Sequence, residues 1–426
     1  MPLSLQASLV SQVFCLALVG SLAVKFWLAT RQMRHVHQHR AFVPAAFAST
    51  ISTEAHQHAA DYTQAKTRFG LLSEALGTAL LLGWTLLGGL DALNAWVYGL
   101  VAPGWGDLAY QLALFGAFSV IGGLLDLPLE WYRSFHIEQQ FGFNRMTPRL
   151  FVVDLVKGTL VGLVIGTPLL AAVLWVMGAT GPWWWLWAWG LWTGFMLLMQ
   201  VVYPTLIAPI FNKFKPLEDA SLTGRVQALM QRCGFQAKGF FVMDGSLRSA
   251  HGNAYFAGLG KSKRVVFYDT LLARLLPAEV EAVLAHELGH FHHKHVLHRM
   301  LMIFALSLLG LVLLGWLANQ PGFYFGLGVT PHLSGTAPNH ALALLLFMMA
   351  SPPFMFFIAP LIARSSRKAE FEADAYACAQ TNGIDLSSAL LKLYEDNAST
   401  LTPDPLYVRF YYSHPPASER LAALPR

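Results

Sequence analysis

Charged side chains are scarce in this chain. Of its 426 residues, 12% are Asp, Glu, Lys or Arg, while 55% are hydrophobic. An ordinary soluble domain has roughly 25% charged residues, so the composition excludes that class and is typical of a protein embedded in a lipid bilayer.

Cysteines and basic stripes are also lacking. The three cysteines, Cys15, Cys233 and Cys378, lie far apart, which excludes a disulfide framework and a CxxC zinc site. The net charge of +5 is not gathered into a basic stripe with interleaved aromatic residues, so we expect no nucleic acid partner. An excess of Lys and Arg is instead what membrane topology requires.

Long apolar runs, by contrast, are abundant. A helix that crosses a bilayer needs about 20 mostly apolar residues, and seven stretches meet this requirement: 9–30, 71–100, 109–130, 150–178, 183–210, 299–318 and 340–363. The first run lacks the basic start of a signal peptide and further spans follow it, so we predict that it is retained. Seven spans would place the two termini on opposite faces of the membrane.

The positions of the basic residues support this arrangement. Of the 29 Lys and Arg residues, only Lys25 and Lys157 lie inside predicted spans, and the others lie in four segments: 31–70, 131–149, 211–299 and the tail after 363. Cytoplasmic loops are enriched in Lys and Arg. We therefore expect these four segments, and any active site that they form, at the cytoplasmic face.

Two of these segments are long enough to form more than a loop. One combines amphipathic helix patterns with the β-rich runs GFFVMDG and RVVFYDT, which predicts a small cytoplasmic α+β unit. The expected fold is thus an all-α multi-span membrane protein that carries this unit. Its predicted parts are spans one to five in 1–210, the α+β segment 211–298, spans six and seven in 299–363, and a cytoplasmic C-terminal segment 364–426.

Histidines are concentrated in HELGHFHHKH, residues 286–295. The apolar lead-in EVEAVLA predicts a helix, on which His286 and His290 lie about 40° and about 6 Å apart and can reach one ion. Glu287, about 100° around the helix, can act as a general base on a water at that ion. This is the HExxH pattern of zinc peptidases. Such a pair can arise by chance, but so dense a histidine cluster has no packing explanation.

A third ligand must come from elsewhere in the chain. The extended HExxHxxGxxH pattern is excluded, because His293 and Val296 stand where it requires glycine and histidine. We expect the remaining histidines of this region to be solvated, interfacial or in contact with the ligands: His292, His293, His295 and His298.

The stretch RKAEFEADAYA supplies carboxylates. Glu370 and Asp374, four positions apart, share a helical face, from which Glu372 points away. We predict Glu370 as a metal ligand and Asp374 as a carboxylate that orients a ligating histidine. From spacing alone, a charged juxtamembrane helix that faces water remains the alternative.

Taken together, the chain resembles the type I CAAX prenyl proteases, seven-span zinc metalloendopeptidases of the endoplasmic reticulum with many bacterial relatives. The resemblance covers nearly the whole chain and rests on motifs in a fixed order: LPLEWYRSFHIEQQFGFNRMTP, SAHGNAYFAGLGKSKRVVFYDTLL, HELGHFHHKH, SRKAEFEADAYA and SHPPASERLAAL. It implies a gluzincin-like zinc site with one Zn²⁺ on His286, His290 and Glu370, and with Glu287 as the base.

The resemblance also implies roles for residues that spacing does not single out. An edge strand beside the zinc would bind the substrate through Asn253, Ala254, Tyr255 and Phe256, as peptides add to sheet edges elsewhere. A plain hairpin closed by the turn GLGKS is the alternative. His414 would donate a hydrogen bond to the developing oxyanion, and Arg420 would either stabilise the carboxylates or bind a substrate carbonyl.

In the family the spans enclose a water-filled intramembrane chamber. A polar interior fits the ionisable residues within or beside the apolar runs, because such groups are costly in lipid: Glu74, Asp91, Asp126, Asp154 and Lys157. Asp154 and Lys157 are also close enough in sequence to pair with each other.

The membrane and the substrate are less defined. The tail ends at ALPR without a retrieval signal, and the loops are compact, which favours a bacterial inner membrane over the endoplasmic reticulum. Bacteria are not expected to make CAAX-prenylated proteins. We therefore expect hydrolysis of a peptide or protein substrate, with prenylation left open.

Two other functions remain open. A metal transporter or sensor would use the histidine cluster as a donor site, but it predicts ligands within the spans and gives Glu287 no task. A quality-control protease for misfolded membrane proteins would use the same chemistry on a broader set of substrates.

Overall fold

A computed structural model describes residues 2–236, 239–257, 264–332 and 339–424. The first half of the chain is helical, and two π-helical segments, Arg133–Glu138 and Tyr203–Ile207, continue two of its helices. These helices are α1 (Leu3–His39), α2 (Thr53–Trp84), α3 (Gly89–Tyr132), α4 (Pro148–Ala179), α5 (Trp184–Val202) and α6 (Ala208–Phe211).

A small α+β unit follows. Its elements are β1 (Phe214–Pro216), α7 (Ala220–Arg232), β2 (Phe240–Met243), β3 (Ala254–Ala257), β4 (Arg264–Tyr268), α8 (Asp269–Leu272) and α9 (Pro277–His292). The strands form one sheet in the order β1-β2-β4-β3, in which β3 is an edge strand that pairs antiparallel with β4. The runs GFFVMDG and RVVFYDT are confirmed as strands β2 and β4, whereas the turn GLGKS lies outside the described residues.

The rest of the chain is helical again. It contains α10 (His295–Leu317), α11 (Pro321–Gly326), α12 (His340–Ala350), α13 (Pro352–Met355), α14 (Ala359–Gln380), α15 (Gly383–Asp396), α16 (Pro405–Tyr411) and α17 (Ala417–Ala423).

In the described part of the chain, five helical stretches are long and apolar enough to cross a membrane, or six if a bent pair is one span. They are Leu3–His39, Gly89–Glu138, Pro148–Ala179, Gly181–Phe211 and His295–Leu317, and the pair is His340–Met355 with Ala359–Gln380, bent by 67°. The structure is therefore that of a multi-pass membrane protein.

The predicted span 71–100 is not one continuous helix. It breaks between α2 and α3, where Gly88 adopts the left-handed conformation with φ 79°. The segment after α11 packs into the break: a Cβ on Gly328 would lie 2.3 Å from the Thr85 carbonyl oxygen, and the Thr330 amide donates to Asp91 at 2.7 Å. Close approach by another part of the chain interrupts this helix. A hydropathy pattern does not report such a contact between segments that are remote in sequence.

Asp154 and Lys157 do not pair with each other, which was the alternative that their spacing allowed. Both oxygens of Asp154 instead accept hydrogen bonds from Arg248, at 2.8 and 3.0 Å, and Lys157 donates to the Ile210 carbonyl at 2.9 Å. A bidentate guanidinium satisfies a carboxylate better than a flexible ammonium does. These contacts attach the chain segment that leads into β3 to the membrane helix α4.

Helix α9 lies in the centre of the α+β unit. Its side chains from Val280 to Leu288 are buried almost continuously, which explains its apolar sequence. At its first turn the buried Glu279 accepts hydrogen bonds from the Leu276 amide, from Ser388 at 2.6 Å and from Lys392 at 2.7 Å. The glutamate thus caps α9 and attaches it to α15.

Candidate metal centre

The site depends on how closely α9 and α14 approach. Gly289 of α9 faces Ala373 of α14, and a Cβ on Gly289 would lie 2.9 Å from the Ala373 Cα. Ala373 and Ala377 are fully buried. Small residues on both helices therefore allow near-contact of the two backbones, which brings Glu370 beside the histidines of α9.

His286, His290 and Glu370 offer ligand atoms that all lie within 4.8 Å of one another. The Nε2 atoms of His286 and His290 lie 3.4 and 3.5 Å from the two Glu370 oxygens. Two ligand atoms that bind one tetrahedral zinc at about 2.1 Å are themselves about 3.4 Å apart. The buried Oε2 atom of Glu370 accepts no hydrogen bond from the described residues, although such atoms normally have a partner. These residues fit a divalent cation.

Asp374, itself bound by Arg420, contacts the Nδ1 side of the His286 ring. Its Nδ1 atom lies 2.8 Å from Asp374, whose two oxygens accept hydrogen bonds from Arg420 at 2.8 and 2.5 Å. Burial alone would lower the pKa of His286, but the neighbouring Asp374 and Glu370 carboxylates raise it to about 9. With Nδ1 bonded to Asp374, Nε2 is directed at Glu370, as a ligating histidine requires.

His290 is supported in a corresponding way by His295, one of the histidines expected to be solvated, interfacial or in contact with the ligands, whereas the part of Glu372 was not expected. Its Nδ1 atom lies 3.0 Å from Nδ1 of His295, and Nε2 of His295 lies 2.8 Å from Glu372. Because Glu372 accepts, His295 carries its proton on Nε2 and accepts from His290, which leaves Nε2 of His290 free for an ion. The geometry depends on Lys294, whose left-handed φ of 57° separates α9 from α10, and no sequence pattern indicated that turn.

The other histidines of the cluster lie further out. The His292 ring stacks on Tyr376 with centroids 4.6 Å apart, and the His293 ring stacks on His295 at 5.5 Å. Neither belongs to the group of candidate metal ligands.

Glu287 lies beside the ligands and faces a cavity of about 780 Å³. Burial raises the pKa of Glu287, and the Glu370 carboxylate acts in the same direction. A carboxylate with a raised pKa is a stronger base than an ordinary glutamate, as proton abstraction from water requires. The cavity gives water and a substrate access to this side chain.

The start of β3 lines the same cavity. Gly252, Asn253 and Ala254 lie on its wall. Tyr255 and Phe256 do not: the Tyr255 ring contacts Tyr268, and the Phe256 ring contacts Phe291 of α9 at 5.1 Å. These two residues can meet a peptide through their backbone groups on the unpaired edge.

His414 and Arg420 reach the centre from the C-terminal segment. His414 is 63% exposed in the cavity, and its Nε2 atom lies 3.4 Å from Glu370. Arg420 is buried with a side-chain exposure of 7%, and both its Nε and one terminal nitrogen are engaged by Asp374. Of the two roles that the resemblance implied for Arg420, stabilisation of the carboxylates fits this position better.

The fold and the site together define the class of this protein. Long apolar helices carry a compact unit in which HExxH and a distant glutamate converge beside a cavity with an open strand edge. This combination defines a membrane metallopeptidase.

Comparisons with known proteins specify the family. Residues 32–213 match the family "CAAX prenyl protease N-terminal, five membrane helices", and residues 216–426 match "Peptidase family M48". CAAX prenyl protease 1 homolog of Arabidopsis thaliana is 33% identical over 390 residues, 90% of each chain, and CAAX prenyl protease 1 of Saccharomyces cerevisiae is 31% identical over 95% of this chain and 93% of its own. The crystal structure of S. mikatae Ste24p superposes with a TM-score of 0.90 at 29% identity, covering 100% of this chain and 99% of that one. The chain belongs to the CAAX prenyl protease family within peptidase family M48.

Proposed function

We propose that this metallopeptidase is a zinc endopeptidase with His286, His290 and Glu370 as ligands of one Zn²⁺. Two imidazoles and one carboxylate suit zinc, and three protein ligands leave the open position that a catalytic zinc needs. The convergence of Glu370 on the histidine pair, beside Glu287 and the edge of β3, is the observation that supports this proposal most strongly.

Each side chain has a distinct task in the proposed mechanism. Bound zinc supplies Lewis acidity, which polarises the scissile carbonyl and acidifies the attacking water. Glu287 takes the proton from that water and passes it to the leaving amine. His414 donates a hydrogen bond to the oxyanion as it forms. Asp374 orients His286, and Arg420 balances the charge of Asp374 and Glu370.

We propose that the substrate is a peptide or protein chain bound along the free edge of β3. Addition of a strand satisfies the unpaired backbone groups of β3 and fixes the scissile bond relative to the metal. The names of the relatives support a prenylated CAAX substrate, from which the C-terminal tripeptide would be removed. A lipid-modified chain also suits an enzyme whose neighbour is the bilayer.

The proposed topology has seven crossings, with the active site on the cytoplasmic face. The kink at Gly106 inside α3, with φ 78°, would separate one crossing from the next, and the broken stretch 71–100 would form a single bent crossing. The four basic segments support the orientation. The compact loops favour the bacterial inner membrane, with the endoplasmic reticulum as the alternative.

One assay tests the function. Purified protein is given a farnesylated CAAX peptide, its unprenylated counterpart, or an unfolded membrane protein, each with and without a zinc chelator. Chelator-sensitive cleavage of the farnesylated peptide is expected, with slower cleavage of the other two. Equal cleavage of all three would favour the quality-control protease, and cleavage that survives the chelator would contradict a metal mechanism.

A metal transporter is the weaker alternative. Among the described residues, the one group with metal-binding geometry is on α9 and α14. That position fits hydrolysis better than transport across the bilayer.

A further inference from the structure

The cavity at the metal centre extends well beyond the catalytic residues. It continues from Asn253 and Ala254 to the side of α2, where Tyr62 and Lys66 form part of its wall. This distant end is accessible from the same space as Glu287.

The cations of this cavity differ in how they are paired. Lys25 donates to Glu74 at 2.7 Å, and Arg420 is engaged by Asp374. Lys66 forms no ion pair with any described residue, and its ammonium lies over the Tyr62 ring, 4.4 Å from the centroid. The Tyr62 hydroxyl donates to both oxygens of Glu138, at 2.7 and 2.9 Å, which fixes the ring. Lys66 therefore places on the cavity wall a positive charge that has no ion-pair partner among the described residues.

Two hydroxyl groups that line the cavity near Lys66 are already engaged as donors. The hydroxyls of Thr63 and Thr67, which also line the cavity, donate to helix carbonyls at 2.8 and 2.7 Å. Burial lowers the pKa of Lys66, although Glu138 acts against this shift. An incoming carboxylate would offset the free-energy cost of burying the charged amine, because an opposite charge at close range favours the charged form.

The direction of β3 indicates which end of a substrate would reach Lys66. A peptide that adds antiparallel to β3 runs from beside Ala257 toward Asn253, so its C-terminal residues lie next to the start of the strand. The cavity continues from that start to Lys66. Peptides that end a few residues beyond the scissile bond carry a free carboxylate at this end.

We propose that Lys66 binds the free C-terminal carboxylate of the substrate, so that the enzyme selects chain ends over internal segments. This inference rests on the proposed peptidase function and names a specificity residue for the same cavity. The aromatic ring of Tyr62 below the ammonium holds Lys66 in place through a cation–π contact.

Binding to an inactive enzyme tests the proposal without turnover. The probes are a farnesylated CAAX peptide with a free carboxylate and the same peptide with a C-terminal amide, both titrated against Glu287→Gln protein by fluorescence anisotropy. A charge-assisted contact is expected to make the acid bind about tenfold more tightly than the amide. Adding Lys66→Met should weaken binding of the acid but not of the amide, which brings the ratio of the two affinities close to one.

Two further variants serve as controls. Lys66→Arg keeps the charge and should keep most of the preference, whereas Lys25→Met removes a cavity lysine that is already paired and should leave the ratio unchanged. Unaltered affinity for the amide shows that the Lys66→Met protein is folded.

Three outcomes would overturn the inference. Equal affinities for acid and amide in the Glu287→Gln protein that retains Lys66 would overturn this inference and leave the proposed function standing. A preference for the acid that survives Lys66→Met would do the same. Failure of both peptides to bind the Glu287→Gln protein that retains Lys66 would overturn the proposed substrate and this inference with it.

Discussion

At the scale of single residues, Glu287 has the most specific chemical task in the proposed mechanism. We expect Glu287→Gln to retain the metal, because Glu287 is not among the three proposed ligands, and to lower kcat by about 10²- to 10⁴-fold, the usual contribution of a general base. Metal content by elemental analysis and peptide cleavage are measured on the same preparation.

Glu281, six residues earlier on α9, supplies the matched control. It pairs with Arg225 and Arg232 at 3.1 Å, away from the ligands, so Glu281→Gln should cleave at nearly the wild-type rate. Cleavage by Glu287→Gln at that same rate would contradict the assigned base.

The contacts behind His290 lead to a second residue-scale prediction. His295→Leu and Glu372→Gln should each weaken zinc affinity by about 10- to 100-fold, because partners that orient a ligating histidine contribute on that scale. Competition with a chromophoric chelator measures the affinity directly. His293→Leu, which removes only a stacking neighbour, is the control, and equal zinc affinities in all three variants would contradict the role of His295.

At the scale of secondary-structure elements, Gly289 sets the spacing between α9 and α14. Gly289→Ala would introduce a Cβ 2.9 Å from the α14 backbone and force the helices apart, at a cost of about 1–3 kcal/mol. Both the thermal unfolding temperature and the zinc affinity should fall, since Glu370 moves with α14.

The control for this substitution is Gly224→Ala on α7. Among the described residues, no atom outside the local backbone of α7 lies within 4 Å of the added Cβ, so helix propensity should stabilise that variant by up to about 1 kcal/mol. Unchanged zinc affinity in Gly289→Ala would show that helix spacing does not control the site.

The cap of α9 makes stability depend on pH. Burial would raise the pKa of Glu279, but hydrogen bonds from Lys392, Ser388 and the Leu276 amide lower it overall. A lowered pKa stabilises the fold above the unfolded pKa, about 4.3, and this contribution is lost as the pH falls through the folded value. Glu279→Gln should therefore be less stable by about 2 kcal/mol at pH 7, with a difference that shrinks below pH 4. A difference that stays constant with pH would contradict this account.

Sequence patterns predicted these elements unevenly. Hydropathy and periodicity located the apolar helices, strands β2 and β4, and the pairing of His286 with His290, because each signal lies within one element. The break near Gly88 and the contact of His295 with Glu372 come from segments that are remote in sequence. Spacing on one helix reported which residues share a face, but it did not report which other helix would meet that face.

At the scale of the whole molecule, the number of crossings is open to direct measurement. Single cysteines are placed at Ser49, Gly104, Asn144 and Gln320 in a protein without its three native cysteines, and a membrane-impermeant maleimide is applied to intact cells. Seven crossings predict labelling at Gly104 and Gln320 and protection at Ser49 and Asn144. Labelling of Ser49 and Gly104 from the same side would rule out a crossing between them.

The order of elements along the chain also has a consequence for biosynthesis. Helix α9 emerges from the ribosome before α10 to α13, and α14 emerges after them, so the histidine pair is made long before Glu370. With Glu370 as a ligand, as proposed, the hydrolytic centre would remain incomplete until the intervening hydrophobic helices have been translated and inserted. Nascent copies would thus be latent, which would protect neighbouring polypeptides from an unfinished protease.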